Sequence, residues 1–276
     1  MYKLRTVDVW DTLIRRACHP ETVKLATALH VFLRFHHSLE GTLSSHWDLH
    51  DKRIEIERIM AHEAEVIGHD GEYKLTAVFR RWLATILRHP LPCNTDDIAK
   101  EIAEHELRFE MANTFPDDSI IDFLANYPAE KTLYLSDFHM TSAMVDHLLA
   151  HHGLDTLFPK GLLSCDVMLK KCSGRLFEYI QKNHDVDSRM NISISAKIPQ
   201  QLGITAIHYL PEASHRKRGK KDTLFSSREV LFTHMTKLAR ETAGNFSNRN
   251  DDAKATFQLG LQAAPLLIGY ALFIAD

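Results

Sequence analysis

Short apolar runs of strand character alternate with stretches of helical periodicity along the second half of this chain, and that alternation restricts it to few folds. Thr132-Leu-Tyr-Leu-Ser136 reads as a strand, Ala143 to His152 as a helix, and Leu162-Leu-Ser164 as a short strand. Gly174 to Asn183 reads as another helix, and Met190 to Ser195 and Thr205 to Leu210 as two more strands. Residues 4–10 form a weaker strand pattern that ends in a turn signal. Strands joined through helices run parallel, because the crossover returns the chain to the same end of the sheet. The expected fold is an α/β, doubly wound parallel sheet, whose ligand sites lie outside the carboxyl ends of the strands. Asp8 and Ser136 stand at two such ends and are expected to meet there.

From about Pro20 to Phe115 the period changes. Val23, Ala26, Leu29, Phe32 and Leu33 recur at helical spacing, as do Ile54, Ile56, Ile59 and Met60. The predicted organisation is an α/β core from residues 1–19 and 116–276, with a C-terminal helical extension, and a helical cap inserted over residues 20–115. With 276 residues, 45% of them hydrophobic, the chain can bury such a core. A formal net charge of -3 argues against bulk electrostatic attraction to nucleic acid or to an anionic membrane. Cys18, Cys93, Cys165 and Cys172 contain no C-x-x-C pair, so neither a disulfide framework nor a structural zinc site is expected, and a reduced, cytoplasmic setting fits. The N-terminus carries no apolar segment followed by a cleavage site, and no apolar run reaches the ~18 residues of a membrane span.

Val7-Asp-Val-Trp-Asp-Thr-Leu13 places a carboxylate directly after an apolar strand and before a turn, the location of a nucleophile. Together with Leu133-Tyr-Leu-Ser-Asp-Phe-His-Met140 and Leu169-Lys-Lys-Cys-Ser-Gly-Arg-Leu-Phe177, in that order, it resembles the haloacid dehalogenase (HAD) superfamily. The nearest resemblance is to the HAD hydrolase domains of bacterial proteins linked to surface-polysaccharide synthesis. Residues 259–270 look like the segment that leads into a second half in longer members of that group. The resemblance covers nearly the whole chain and implies a HAD-like (Rossmannoid) sheet with the helical cap already described. It also implies roles: Asp8 attacks a phosphoryl group, Thr12 and Ser136 bind it, and Lys171 neutralises charge around the nucleophile. Of the adjacent Lys170 and Lys171, the spacing to Gly174 favours Lys171.

Two expected parts are absent. Two residues after the nucleophile, phosphatases of the family carry an aspartate as general acid; Trp10 stands there and has no titratable proton at working pH. The fourth motif should supply acidic ligands that hold Mg²⁺ together with Asp8, yet no Asp or Glu occurs between Arg189 and Leu210. The acidic position falls on Ala196 or Lys197, and Lys197 is placed to bring an ammonium to the vacant metal position. Mg²⁺ with Asp8 as protein ligand is therefore the implied cofactor and a poor one. Asp11 replaces the glycine of the family turn and reads as a turn-stabilising side chain. Asp137 reads as a group that organises the site or as a spare metal ligand.

The function expected on these grounds is a degenerate or inactive HAD phosphohydrolase that serves as a binding or assembly subunit. An active phosphatase on a phosphorylated sugar or nucleotide, working through an Asp8 phospho-aspartate, stays open. A third alternative is a nucleic-acid-binding module using the basic run His215-Arg-Lys-Arg-Gly-Lys-Lys221, which lacks the interleaved aromatic residues of a stacking platform. Among the 18 histidines, His46 and His50 lie at i, i+4 on a helix, without the signature of a zinc hydrolase, and read as surface residues. Residues 263–275 are apolar on nearly every face, so a homo-oligomer or a partner protein is expected to cover them, unless they thread into the chain's own core.

Overall fold

The computed structural model describes residues 1–89, 94–184, 187–194 and 198–209. Its first strand, β1 (Tyr2–Val7), is followed by a short strand β2 (Ile14–Arg16) and then by four helices, α1 (Pro20–Phe35), α2 (His46–Val66), α3 (Leu75–Ile86) and α4 (Thr95–Ala112). Strand β3 (Thr114–Pro116) returns antiparallel to β2, with Ile14 opposite Pro116. After it come α5 (Ile120–Ala125), β4 (Ala129–Ser136), α6 (Ser142–His151), β5 (Gly161–Leu163), α7 (Ser164–Val167), α8 (Arg175–His184), β6 (Asn191–Ile194), α9 (Ile198–Gln201) and β7 (Thr205–Ile207). The five-stranded sheet has the order β5-β4-β1-β6-β7, and every neighbouring pair is parallel.

Both faces of this sheet are covered, as parallel sheets require. Leu4, Leu133 and Leu135 point to one face and pack with Leu176, Phe177 and Ile180 of α8. Val7, Tyr134, Ile192 and Ile194 point to the other and pack with Val145, Leu148 and Leu149 of α6. The two faces alternate along each strand because successive side chains point to opposite sides. The expected α/β sheet is thus the observed one, with strand ends shifted by up to three residues. Gly174, read as the start of a helix, instead has φ +84°, and the helix begins at Arg175. The β2–β3 ribbon, too short for a periodicity signal, is a feature that the sequence pattern did not mark.

Local chemistry sets the helix starts in the inserted segment. Ser45 and Asp48 form a reciprocal capping box at α2, the side chain of Asn94 accepts from the Asp96 N–H at α4, and Pro20 opens α1. Leu75, Val78, Phe79, Trp82, Leu83 and Ile86 of α3 are all buried, so α3 forms the centre of the helical layer.

That layer also encloses charge. Arg53 and Glu106 are fully buried and paired through two contacts, Nη1 to Oε2 at 2.5 Å and Nη2 to Oε1 at 2.9 Å. Arg53 Nε donates to Glu57 at 2.9 Å, Lys24 donates to Glu57 at 2.7 Å, and the Thr27 hydroxyl donates to Glu106 at 2.7 Å. His139, from the loop after β4, lies 3.4 Å from Glu106. Burial alone would raise the Glu106 carboxyl, but Arg53 and His139 bring it well below the ordinary glutamate value; Glu57 is lowered in the same sense by Arg53 and Lys24. Removing one member leaves an uncompensated charge, so Glu106→Ala is expected to lower unfolding free energy by about 3–5 kcal/mol in urea titrations at pH 7. Because both carboxyls titrate lower in the folded than in the unfolded chain, the stability they add is present above the ordinary glutamate pKa of 4.5 and is lost as pH falls below it. A loss under about 1 kcal/mol at pH 7 would contradict this account.

Candidate functional site

Parallel pairing puts three chain segments at one end of the sheet. Val7 lies level with Tyr134 on one side and with Ile194 on the other, and the Asp8 N–H donates to the Ile194 carbonyl at 3.1 Å. Asp8 therefore emerges beside the last residue of β4, Ser136, and beside the end of β6. Its Oδ1 accepts from the Val9 N–H at 2.9 Å and from the Ser136 hydroxyl at 2.9 Å, and it contacts Lys171 Nζ at 2.7 Å. Ser136 is buried, the Lys171 side chain is 12% exposed, and the Asp8 side chain keeps 25% of its surface open. The result is a carboxylate held in one orientation by three donors and still reachable from solvent.

The turn after Asp8 is tight. Leu13 and Ile14 N–H groups both donate to the Val9 carbonyl, at 2.9 and 3.0 Å, and Asp11 adopts φ +65°. Aspartate tolerates that left-handed conformation better than most residues, which is how it stands in for glycine here. Thr12 is buried in the same turn. Trp10 is half-buried, with its ring centroid 4.6 Å from that of Phe138 and the Arg16 guanidinium 3.8 Å above it. Arg16 is in turn clamped by both carboxylate oxygens of Glu110, at 2.8 and 3.0 Å. Trp10 is thus part of a cation–aromatic cluster with Arg16 and Phe138 beside Asp8.

Asp137 faces the lysine loop. Its Oδ1 accepts the Lys171 N–H at 2.7 Å, so it orients the loop that carries the lysine. Burial pushes its carboxyl above the ordinary value and the Asp8 charge adds to this, against the pull of Lys171. The two adjacent lysines part company. Lys171 reaches Asp8, whereas Lys170 Nζ turns to the Gly71 carbonyl at 3.4 Å and to Glu72 at 3.7 Å.

Glu72 and Asp70 were not legible as site residues. They lie in the α2–α3 loop, punctuated by Gly68 and Gly71, both at positive φ. That glycine pair signals a turn but says nothing of what the turn docks on. Burial pushes the Glu72 carboxyl up to about 7, with Lys170 and Ser164 opposing it. Since the folded value exceeds the unfolded one, the folded chain holds a proton that the unfolded chain releases between pH 4.5 and about 7. The stability linked to Glu72 is complete below that window and declines as pH rises through it. Glu72→Gln should abolish this decline and leave the variant more stable than the parent at pH 8 by about 2 kcal/mol, with little difference at pH 4. Denaturant unfolding at the two pH values checks this.

Several expected features lie elsewhere or outside the described residues. Lys197 and Ala196, the basic run at 215–221, the apolar segment at 263–275 and Cys93 are outside them. His50, expected as a surface residue, is 14% exposed and pairs through Nε2 with Glu21 at 3.1 Å. Among the described residues no group of three or more His, Cys, Asp or Glu side chains is placed to hold a metal ion, and no helix is long and apolar enough to cross a membrane. A cleft of about 890 Å³ is lined by Lys24, His50, Glu57, Arg58, Tyr73 and Lys170 among others, but not by Asp8, Ser136 or Lys171. The chemistry of the site, not this cleft, identifies it.

The central β1, the Asp8–Ser136–Lys171 contact and the helices between β2 and β3 together make this an α/β protein with a parallel sheet and a carboxylate, a hydroxyl and an ammonium gathered at one end of it. Among solved structures the chain is similar to a 2-haloacid dehalogenase from Pseudomonas syringae pv. Tomato DC3000, at 18% identity and TM-score 0.49, over 77% of this chain and 88% of that one. It is similar also to L-2-haloacid dehalogenase from Xanthobacter autotrophicus, at 15% identity and TM-score 0.42, over 75% and 76%. CbbY from Rhodobacter sphaeroides, solved in complex with phosphate, matches at 14% identity and TM-score 0.44, over 75% and 85%. No protein-family profile and no curated protein sequence matches the chain.

Proposed function

We propose that this chain is a HAD hydrolase-like protein that keeps the anion-handling half of its site and has lost Mg²⁺-dependent phosphoryl transfer, so that it serves as a binding or assembly subunit. The observation that carries this reading is the direct contact of Lys171 Nζ with Asp8 Oδ1 at 2.7 Å, beside a strand end that brings no carboxylate. Mg²⁺ asks for near-octahedral coordination by hard oxygens. Asp8 Oδ1 is already engaged by three donors, Asp137 Oδ1 is committed to the Lys171 N–H, and residues 190–210 contain no Asp or Glu. These residues do not fit Mg²⁺, and Lys171 supplies the local positive charge instead. In this reading residues 20–115 act as a cap over the core, and a phosphorylated small molecule is met by the Ser136 hydroxyl and the Lys171 ammonium. Residues 263–275, apolar on nearly every face, are the surface for a second copy or another protein.

A second reading, an active hydrolase forming a phospho-aspartate on Asp8, is favoured by the same geometry: the carboxylate is oriented, partly exposed and faced by a lysine and a serine. The absence of a general acid at Trp10 limits it to substrates whose leaving group departs unprotonated. The purified protein with Mg²⁺ and p-nitrophenyl phosphate is expected to release product at the uncatalysed rate, and Asp8→Asn to leave that rate unchanged. Mg²⁺-dependent turnover that vanishes in Asp8→Asn would establish the second reading in place of the first.

A further inference from the structure

Lys171 sits in a segment with little regular structure of its own. Between α7 and α8 the chain runs through Met168 at φ +59°, a left-handed conformation uncommon for such a residue, and through Gly174 at φ +84°. Something must hold the backbone between these points, or the lysine side chain would sample many positions. The core contributes Asp137, which accepts the Lys171 N–H. Further holds come from the inserted helical segment. Asp70 Oδ2 accepts the Lys170 N–H at 2.8 Å and the Ser173 hydroxyl at 2.7 Å, and Asp70 Oδ1 takes Arg175 Nη1 at 2.7 Å. The Asp70 N–H donates to the Met168 carbonyl at 3.1 Å, and Arg175 Nη1 also reaches the Gly68 carbonyl at 3.0 Å. Glu72, next but one along the same loop, faces Lys170.

We propose that the α2–α3 loop is a positioning element of the site, with Asp70 the residue through which the helical segment keeps Lys171 on Asp8. The lysine loop is gripped on opposite sides by two carboxylates, Asp137 from the sheet and Asp70 from the helices, and the lysines between them are sorted accordingly. Lys170 is drawn toward the α2–α3 loop, which leaves Lys171 directed at Asp8. The Asp70 side chain is 12% exposed, and although burial opposes its charge, the Lys170 N–H, Ser173 and Arg175 hold its carboxyl below the ordinary aspartate value. Charge-assisted hydrogen bonds of this kind are among the stronger ones a loop can use. A site built this way depends on the helical segment for its lysine even though Asp70 lies away from the reacting atoms. The inference concerns the Lys171–Asp8 pair and stands whether or not the site turns over a substrate.

The test is the reactivity of individual lysines in the intact protein, followed by limited acetylation with acetic anhydride at pH 8 and peptide mass spectrometry. In the parent protein Lys171 should react slowly, being paired and nearly buried, while Lys100, with 68% of its side chain exposed, reacts fast. Asp70→Ala should raise the Lys171 rate about tenfold and leave Lys100 unchanged, the size expected for losing charge-assisted hydrogen bonds. Asp70→Asn, which keeps one acceptor oxygen for the loop but loses the charge and the second acceptor, should raise the Lys171 rate less than Asp70→Ala. Ser173→Ala, a milder change at an exposed residue, should raise Lys171 alone by about twofold to threefold, and it decides the matter if Asp70→Ala does not fold. An unchanged Lys171 rate in folded Asp70→Ala or, where that variant does not fold, in Ser173→Ala, or Lys171 and Lys100 rising together, would overturn the proposal.

Discussion

Backbone pairing of β1 on both of its edges is the constraint on which the rest of the molecule depends. A strand bonded to β4 on one side and β6 on the other has no freedom of register, because a slip of one residue would exchange Leu4 and Val7 between the two faces of the sheet. With the register set, Asp8 must leave the sheet between the ends of β4 and β6, and the Ser136 hydroxyl must lie within hydrogen-bonding distance of it. The sheet thus delivers two of the three site groups by strand geometry alone. The third, Lys171, arrives from a loop and needs separate support.

That support crosses between the α/β layers and the inserted helices, and it is largely ionic. Asp70 meets the lysine loop, Glu72 meets Lys170, and His139 of the loop after β4 meets the buried Glu106. Around Glu106 the charges are matched: Arg53 and Lys24 face Glu57 and Glu106, and Thr27 fills a remaining acceptor site. Such a cluster adds little net stability over an apolar core of the same volume, but it is costly to break and demands one geometry. The end of β4 at Ser136 and the loop after it, with Asp137, Phe138 and His139, are therefore tied at once to Asp8, to the lysine loop and to the helices.

The site has the character of a neutralised anion. Asp8 is surrounded by an amide, a hydroxyl and an ammonium on one oxygen, and the wall beside it is a cluster in which the Glu110-bound Arg16 lies against Trp10 and Phe138. The Val9 N–H, the Ser136 hydroxyl and the Lys171 ammonium together offset the Asp8 charge, and residues 190–210 add no Asp or Glu. Trp10 brings apolar area, and Arg16 a guanidinium held by Glu110, to the adjoining wall.

The strand and helix periodicities determined the class of the fold, since alternation of buried strands and amphipathic helices leaves a parallel sheet as the way to bury both faces. They also determined that Asp8 and Ser136 share a site, because both stand at carboxyl ends of strands, and that carboxylates are lacking from 190–210, which is read directly from residue types. What the tertiary structure alone decided depends on contacts between distant segments. The spacing to Gly174 favours Lys171 over Lys170, but what each ammonium meets, Asp8 in one case and Glu72 in the other, depends on segments far apart in sequence. Asp70 looks like an ordinary turn residue until a loop a hundred positions away brings its N–H groups to it. Arg53 and Glu106 carry no sequence signal of burial, yet they are fully buried, because helix packing and not local sequence sets which face turns inward.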